Sequence, residues 1–144
     1  KKEVFDEDLE SMIQERQREV KAIYTLDALQ VSCGDPLIPT ATATITDEEG
    51  ETHVVCSTGT GPVDAAYKAV DKAISAHGEL TEFNVKAITR GIDAIGEVTV
   101  RIAAEDGKIY TGRGADTDII VSSAKAYINA INRMIQTNRS KAGK

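Results

Sequence analysis

The sequence predicts an α+β fold made of two βββα units related by pseudo-twofold symmetry and preceded by a linker helix. Each half of the chain contains strands of alternating apolar and polar residues, then a Gly-X-Gly pair, then apolar residues at helical spacing. The pair Gly59 and Gly61 recurs as Gly112 and Gly114, 53 residues later, which indicates an internal repeat. Because neither unit buries much alone, we expect the two units to pack together and the molecule to self-associate.

The composition narrows the functional classes. The 144 residues suit one domain, and 41% hydrophobic with 28% charged residues is an ordinary balance. The net charge is −6 and the only aromatic residues are four tyrosines and two phenylalanines, so no nucleic-acid partner is expected. No apolar run approaches the ~18 residues of a membrane span, so we expect no membrane partner and a cytoplasmic protein. The chain begins at Lys1 rather than Met, which indicates a fragment or a processed chain.

The first segment is predicted to be a charged helix. Leu9, Met12 and Ile13 stand at i, i+3 and i+4, which predicts a helix over residues 4–20 that Asp6 can cap. The apolar stripe is narrow, so this helix either packs at the edge of the domain or links it to a neighbouring one. We assign residues 1–23 to a linker.

The first unit is assigned to residues 24–78. Alternation predicts strands at 24–31, 41–46 and 53–57, with prolines at 36 and 39 interrupting the chain and a hairpin turn at 47–50. Pro62 fits the first turn of a helix because its missing N–H has no partner there. Apolar residues spaced by four continue that helix, and His77-Gly78 ends it: they are Ala66, Val70 and Ile74.

The second unit is assigned to residues 79–136. Strands are predicted at 80–88, 97–102 and 109–111, with a hairpin turn at 105–107. The second glycine pair then forms a loop, and a helix begins near Thr117-Asp118 with one apolar face: Ile120, Ala124, Ile128 and Ile131. Residues 137–144 are predicted to be a polar tail.

The residues show no catalytic set and no metal site. A dinucleotide fingerprint fails because Asp64 and Thr117 stand where its third glycine belongs, and no Gly-Lys-Ser/Thr completes a P-loop. Cys33 and Cys56 are expected to be reduced thiols. The two histidines stand alone on a predicted strand and a helix end, and the carboxylates of 6–8, 47–49 and 105–106 fit caps and turns.

The two glycine loops are the remaining candidate site. A loop that runs into a helix N-terminus offers free backbone N–H groups to a small carboxylate. Nearby aspartates could accept from an ammonium group: Asp64, Asp116 and Asp118. Nearby apolar residues could form a wall: Val63, Ile119 and Ile120. Together these describe a site for an aliphatic amino acid. The alternative, which the pattern alone favours, is that the glycines make tight turns and the aspartates cap helices.

Five segments resemble, in order, the C-terminal regulatory domain of the 2-isopropylmalate synthases, a LeuA-type allosteric and dimerisation domain. They are residues 57–66 (STGTGPVDAA), 87–94 (AITRGIDA), 96–100 (GEVTV), 110–120 (YTGRGADTDII) and 123–130 (SAKAYINA). The resemblance covers about residues 24–135, and residues 1–23 resemble the helical linker of the family more loosely.

The resemblance implies an allosteric role. Enzymes of the family condense acetyl-CoA with 2-oxoisovalerate in leucine biosynthesis, in a TIM barrel with a divalent metal that precedes this domain. The barrel is missing from the 144 residues, so we expect no catalytic residues and no cofactor here. The implied partners are a second copy in a homodimer, the chain's own catalytic domain, and leucine as feedback inhibitor near the dimer interface.

The resemblance also implies which residues contact leucine. They are Gly59, Thr60, Gly61, Val63 and Asp64 of the first loop, and Gly114, Asp116, Thr117, Asp118 and Ile119 of the second. The family commonly has Asn where Thr60 stands.

Three alternatives stay open at this stage. A regulatory domain of citramalate synthase would bind isoleucine, which differs from leucine only in where one methyl branches. A dimerisation module would bind no ligand. A free-standing enzyme would need catalytic residues, which the sequence does not show.

Overall fold

The computed structural model describes residues 22–74, 78–87 and 95–142, and it confirms two βββα units. The first unit contains β1 Thr25–Gly34, β2 Leu37–Thr46, β3 Thr52–Thr58 and α1 Pro62–Ala73. The second contains β4 Glu79–Ala87, β5 Gly96–Ala103, β6 Ile109–Asp116 and α2 Ile119–Ala142. Each unit has its own antiparallel sheet, with strand orders β1-β2-β3 and β4-β5-β6.

The alternating residues of the two middle strands form the centre of the core. Ala41, Ala43 and Ile45 of β2 are fully buried, and the same is true of Val98, Val100 and Ile102 of β5. The residues between them point to the opposite face of each sheet, as a period of two requires. Both helices pack onto these strands, so the buried residues of the two units form one continuous cluster.

Both predicted hairpin turns are confirmed. The amide of Gly50 donates to the carbonyl of Asp47 at 3.1 Å, and the amide of Gly107 donates to the carbonyl of Ala104 at 2.9 Å. Each glycine has a positive φ, 88° and 84°, which L-residues with a side chain rarely adopt. The Gly at the end of each turn is therefore required by the backbone.

Several predicted boundaries are wrong. Helix α1 ends at Ala73 rather than at His77-Gly78, because Ile74 already has an extended backbone. β2 begins at Leu37, so Pro39 lies inside a strand. Its carbonyl accepts from the amide of Gly59 at 3.0 Å, so the missing N–H also faces the β3 side, beyond the last ladder pair of Thr40 with Thr58, where no ladder bond is lost. Helix α2 continues to Ala142, into the predicted tail at 137–144. There the guanidinium of Arg139 donates to both carboxylate oxygens of Glu48, at 2.9 and 2.7 Å, so a contact with the first unit supports the last turns.

The structure corrects the spacing of the internal repeat. The two helices start at Pro62 and Ile119, 57 residues apart. The first fully buried residues of the middle strands, Ala41 and Val98, are separated by the same 57 positions. The repeat therefore has an offset of 57 residues rather than the 53 suggested by the glycine pairs.

The second glycine pair consequently does not form a loop. Gly112 and Gly114 lie inside β6, and Gly114 corresponds to Ser57 of β3. A Cβ on Gly112 would stand 2.0 Å from the carbonyl oxygen of Ala126, and a Cβ on Gly114 would stand 2.3 Å from that of Ser122. The two glycines let helix α2 pack directly on the strand.

This close packing predicts a destabilised G114A variant. The added methyl would meet backbone atoms of α2 that cannot move away, so we expect the free energy of unfolding to fall by about 1–3 kcal/mol in urea titrations. The S57A variant at the equivalent position of the first unit is the control, and its stability should change by less than about 0.5 kcal/mol. Equal stabilities of the two variants would contradict the described contact between β6 and α2.

The beginning of β1 is attached to helix α2. The side chain of Asn132, only 2% exposed, accepts from the amide of Tyr24 and donates to its carbonyl, both at 3.0 Å. The predicted linker helix, His77 and residues 88–94 lie outside the described residues. No helix in the described part of the chain is long and apolar enough to cross a membrane.

Candidate functional site

The first glycine loop is held by the carboxylate of Asp64. One carboxylate oxygen of Asp64 accepts from the amide of Thr60 at 2.9 Å, and the Lys68 ammonium lies 3.0 Å from it. The Thr60 amide and then Lys68 hold the pKa of Asp64 below its ordinary value. Asp64 is therefore ionised at neutral pH, and its side chain stays 38% exposed.

The two glycines of this loop have different roles. A Cβ on Gly59 would stand 2.4 Å from the amide nitrogen of Ala65, so the loop can pass the start of α1 only with glycine there. A Cβ on Gly61 would meet nothing within 4 Å. The backbone of Gly61 is extended, with φ −157° and ψ 177°, which any residue adopts. The fold requires Gly59 but not Gly61.

The start of helix α1 has no cap from a side chain. Gly61 is the N-cap residue and provides no side-chain acceptor, and Pro62 at the first position has no N–H. The amides of Val63 and Asp64 are the next donors of the first turn, which carries the positive end of the helix dipole. This position can accept a small carboxylate from outside the chain.

The start of helix α2 already has a carboxylate. Asp118, which corresponds to Gly61 in the repeat, accepts from the amide of Ile120 at 2.8 Å and acts as the N-cap. Asp116 accepts from the amide of Asp118 at 3.0 Å and from Lys125 at 3.2 Å, and these two contacts lower its pKa. The two helix starts therefore differ: α2 is capped by its own side chain and α1 is not.

The residues carried over from the resemblance fall into two groups. Gly59, Thr60, Gly61, Val63 and Asp64 lie together at the start of α1, whereas Asp116, Thr117, Asp118 and Ile119 lie together at the start of α2. Gly114 stands apart from both because it faces α2 from inside β6. Among the described residues, no hydrogen bond or ion pair joins the two groups.

Two aromatic residues were not predicted from the sequence: Tyr67, one turn along α1 from the first group, and Phe83, which contacts it. Tyr67 lies one turn after Val63 on α1, and its ring centroid is 6.4 Å from that of Phe83 and 5.0 Å from that of Tyr127. The i, i+4 spacing of Val63 and Tyr67 could have indicated the first of these. Phe83 could not be placed because the β4–β5 register shifts between Leu80 and Glu82, which breaks the alternation.

The comparison with protein families decides what kind of domain this is. Residues 3–135 match the family described as the LeuA allosteric (dimerisation) domain. The chain belongs to this family. The match spans both βββα units of the LeuA domain and includes both helix starts.

Individual proteins that are similar to this chain are named 2-isopropylmalate synthase. The LeuA domain is 77% identical to 2-isopropylmalate synthase of Olsenella uli over all 144 residues, which is 28% of that protein. It is 47% identical over 142 residues to 2-isopropylmalate synthase of Prochlorococcus marinus strain NATL1A, and 48% identical over 134 residues to that of Gloeobacter violaceus. These matches cover 99% and 93% of the chain, and 26% and 25% of the relatives. The chain thus spans about a quarter of the length of the curated relatives that it matches.

Proposed function

We propose that this LeuA domain is the leucine-sensing regulatory domain of a 2-isopropylmalate synthase, and that leucine binds at the start of α1. The observation that carries the proposal is the difference between the two helix starts. In α2 a carboxylate of the chain, Asp118, bonds the first-turn amide of Ile120. At the equivalent position of α1 stands Gly61, and no side chain supplies a cap. The carboxylate of a bound amino acid would supply it.

The surroundings of Gly61 suit the rest of an aliphatic amino acid. The ionised and partly exposed carboxylate of Asp64 can accept from the ligand's ammonium group. Val63, and Tyr67 one turn further along α1, offer apolar contact to a branched side chain. Backbone N–H donors for a carboxylate, an acceptor for an ammonium group and apolar side chains thus lie around one helix start.

The names of the relatives support the same conclusion for the whole protein. An enzyme that condenses acetyl-CoA with 2-oxoisovalerate begins leucine synthesis, so leucine is its distant product and a chemically reasonable inhibitor. Leucine can act on the catalytic domain only through its different affinities for two arrangements of the protein, which are typically worth ~1–3 kcal/mol.

A thermal-shift series with leucine, isoleucine, valine and norvaline tests the ligand. A ligand that binds only the folded form at a hundred times its Kd adds about 2.7 kcal/mol of stability, so leucine should raise Tm by about 5–11 °C. A larger shift with isoleucine would assign the domain to a citramalate synthase. No shift with any amino acid would leave a dimerisation module and reject the leucine site.

We also propose that a second copy of the chain covers the inner face of β4. Leu80, Phe83 and Val85 pair with buried residues of β5 and so face the helices, yet they are 40%, 37% and 46% exposed. Helix α1 has only 12 residues, and within the described part of the chain neither helix packs extensively along β4. Three apolar side chains in one row of an edge strand need a partner, and the family's description as a dimerisation domain indicates a second copy.

This β4 row is connected to both candidate helix starts. Phe83 contacts Tyr67, one turn along α1 from the proposed leucine site. At the other end of the row, Ala87 pairs with Gly96, whose missing side chain makes room for Ile119 at the start of α2. Ile119 is itself 41% exposed. A dimer through the β4 row would therefore place leucine next to the interface, where binding can change how the two copies fit together.

A further inference from the structure

The base of the β2–β3 hairpin brings together three side chains that sequence analysis left apart. The ligand-type atoms of Asp47, Glu51 and His53 all lie within 4.8 Å of one another. The Nε2 of His53 is 2.9 Å from Oδ2 of Asp47, and both residues are half-buried while Glu51 is exposed. No short motif such as His-X-His relates these residues. The hairpin itself brings them together, because position 53 returns alongside position 45 in the ladder.

The carboxylate of Asp47 has a fixed orientation. Its Oδ1 accepts from the amides of Glu49 and Glu51, both at 3.0 Å, which leaves Oδ2 directed at His53. Because backbone amides already hold this carboxylate, its Oδ2 loses little further conformational entropy when it binds a ligand. Outer contacts of this kind orient the ligands of metal sites in proteins.

The second hairpin of the chain shows that the turn does not need the side chains of Glu51 and His53. With the offset of 57 residues, the three positions are occupied by Ala104, Lys108 and Tyr110. The amide of Ala104 donates to the carbonyl of Lys108 at 2.9 Å, the same bond at the same length as that from Asp47 to Glu51. One chain thus builds the same backbone turn twice, once with the cluster and once without it. In the second hairpin, Asp106 accepts from the amide of Lys108 at 3.0 Å, so a carboxylate caps the turn in both units and the turn accounts for Oδ1 of Asp47. It does not account for Oδ2 of Asp47 or for the side chains of Glu51 and His53.

We propose that Asp47, Glu51 and His53 bind a divalent transition-metal ion of the Zn²⁺ class. One imidazole and two carboxylates are ligands that Zn²⁺ accepts, at about 2.0–2.2 Å, with water completing the coordination. Tetrahedral bonds of that length separate neighbouring ligand atoms by about 3.3 Å. The 2.9 Å contact between His53 and Asp47 needs to open by only a few tenths of an ångström.

The charge around the cluster favours a cation. The turn from Asp47 to Glu51 carries four carboxylates, and the ion pair with Arg139 involves Glu48 alone. In the described structure no lysine or arginine is paired with Asp47 or Glu51, and the one cationic partner, His53, is neutral when it acts as a metal ligand. Because Glu48 also fixes this turn to the end of α2, a bound ion would hold the hairpin at the place where the two units meet.

Calorimetric titration with ZnCl₂ tests the site by comparing the chain with a variant that carries the residues of the second hairpin at these positions. The background is C33S/C56S, which removes the thiols that would compete for the ion. The matched variant D47A/E49D/E51K/H53Y carries the residues that the second hairpin has at these positions, including the aspartate that corresponds to Asp106 and caps that turn, so its own turn should form normally. We expect saturable binding of one Zn²⁺ per chain, a rise in Tm with added ZnCl₂, and at least about tenfold weaker binding by the matched variant.

Two outcomes would overturn the proposal. One is that the chain with the intact cluster shows no saturable binding. The other is that the matched variant binds Zn²⁺ as tightly as the intact cluster, which would place the ion elsewhere. If the matched variant does not fold, H53Q keeps the size and polarity of the side chain, and it should lower the affinity by a similar factor. Unchanged affinity of H53Q would contradict the site.

Discussion

The G61D variant is expected to lose leucine binding and to keep its fold. A side chain at position 61 has open space around it, and the extended backbone accepts any residue. Aspartate is a preferred N-cap, so its carboxylate should bond the first-turn amides of α1 as Asp118 does in α2. The variant would thus occupy the donors that we assign to the carboxylate of leucine, and add a like charge next to that carboxylate.

Calorimetry with leucine and urea titration together check this prediction. We expect at least about a hundredfold weaker leucine binding, which corresponds to ~2.8 kcal/mol, and a free energy of unfolding that is unchanged or a few tenths of a kcal/mol higher. The G61A variant is the control: it adds bulk without a carboxylate, and it should retain more affinity than G61D. Unaltered leucine affinity of G61D would show that the start of α1 is not the site.

The same substitution at Gly114 would not test the site. In the sequence Gly61 and Gly114 stand at equivalent positions of the two Gly-X-Gly pairs, and the family resemblance implies that both contact leucine. In the structure a side chain on Gly114 would collide with the backbone of Ser122. Any loss of leucine binding by G114D could therefore come from a disturbed helix α2.

Much of the fold could be predicted because its elements carry local signals. The alternation at 41–46 and 97–102 marks the middle strands, and the glycines at 50 and 107 mark the hairpin turns. The internal offset could not be predicted, since both segments contain Thr-Gly-X-Gly for different reasons. Gly59 lets a loop pass a helix start, whereas Gly112 and Gly114 let a helix approach a strand. The same Thr-Gly-X-Gly pattern thus occurs with two different close contacts.

The candidate site could be predicted only in part. That a helix starts after the last strand of each unit was evident, and the residues around Gly61 do lie together at α1. Which start is free to bind a carboxylate depends on whether a neighbouring side chain caps it, and both starts have aspartates close by in sequence. The caps depend on three-dimensional position: Asp64 turns back to Thr60, while Asp118 turns forward to Ile120.

The V85E variant is expected to dissociate the dimer. Val85 is 46% exposed in the middle of the β4 row, so an interface would bury about half of a valine side chain, which contributes ~0.7–1.4 kcal/mol to association. In an interface related by a twofold axis each substitution occurs twice, so the loss is about 1.5–3 kcal/mol, and the penalty of burying two carboxylates adds to it. The dimer dissociation constant should rise by at least about a hundredfold.

Sedimentation analysis of V85E beside V54E tests the proposed face. Val54 is also an exposed valine on a strand, 67% exposed, but it lies on the face of β3 that points away from the helices, so V54E should dimerise like the unmodified chain. Because Val85 lies in an edge strand and is already half-exposed, the V85E monomer should remain folded and give an unchanged circular dichroism spectrum. A dimeric V85E with a monomeric V54E would move the interface to the outer face of the first sheet. If both variants stay dimeric, the β4 row is not the contact between the copies, and leucine bound at α1 would have to act within one chain.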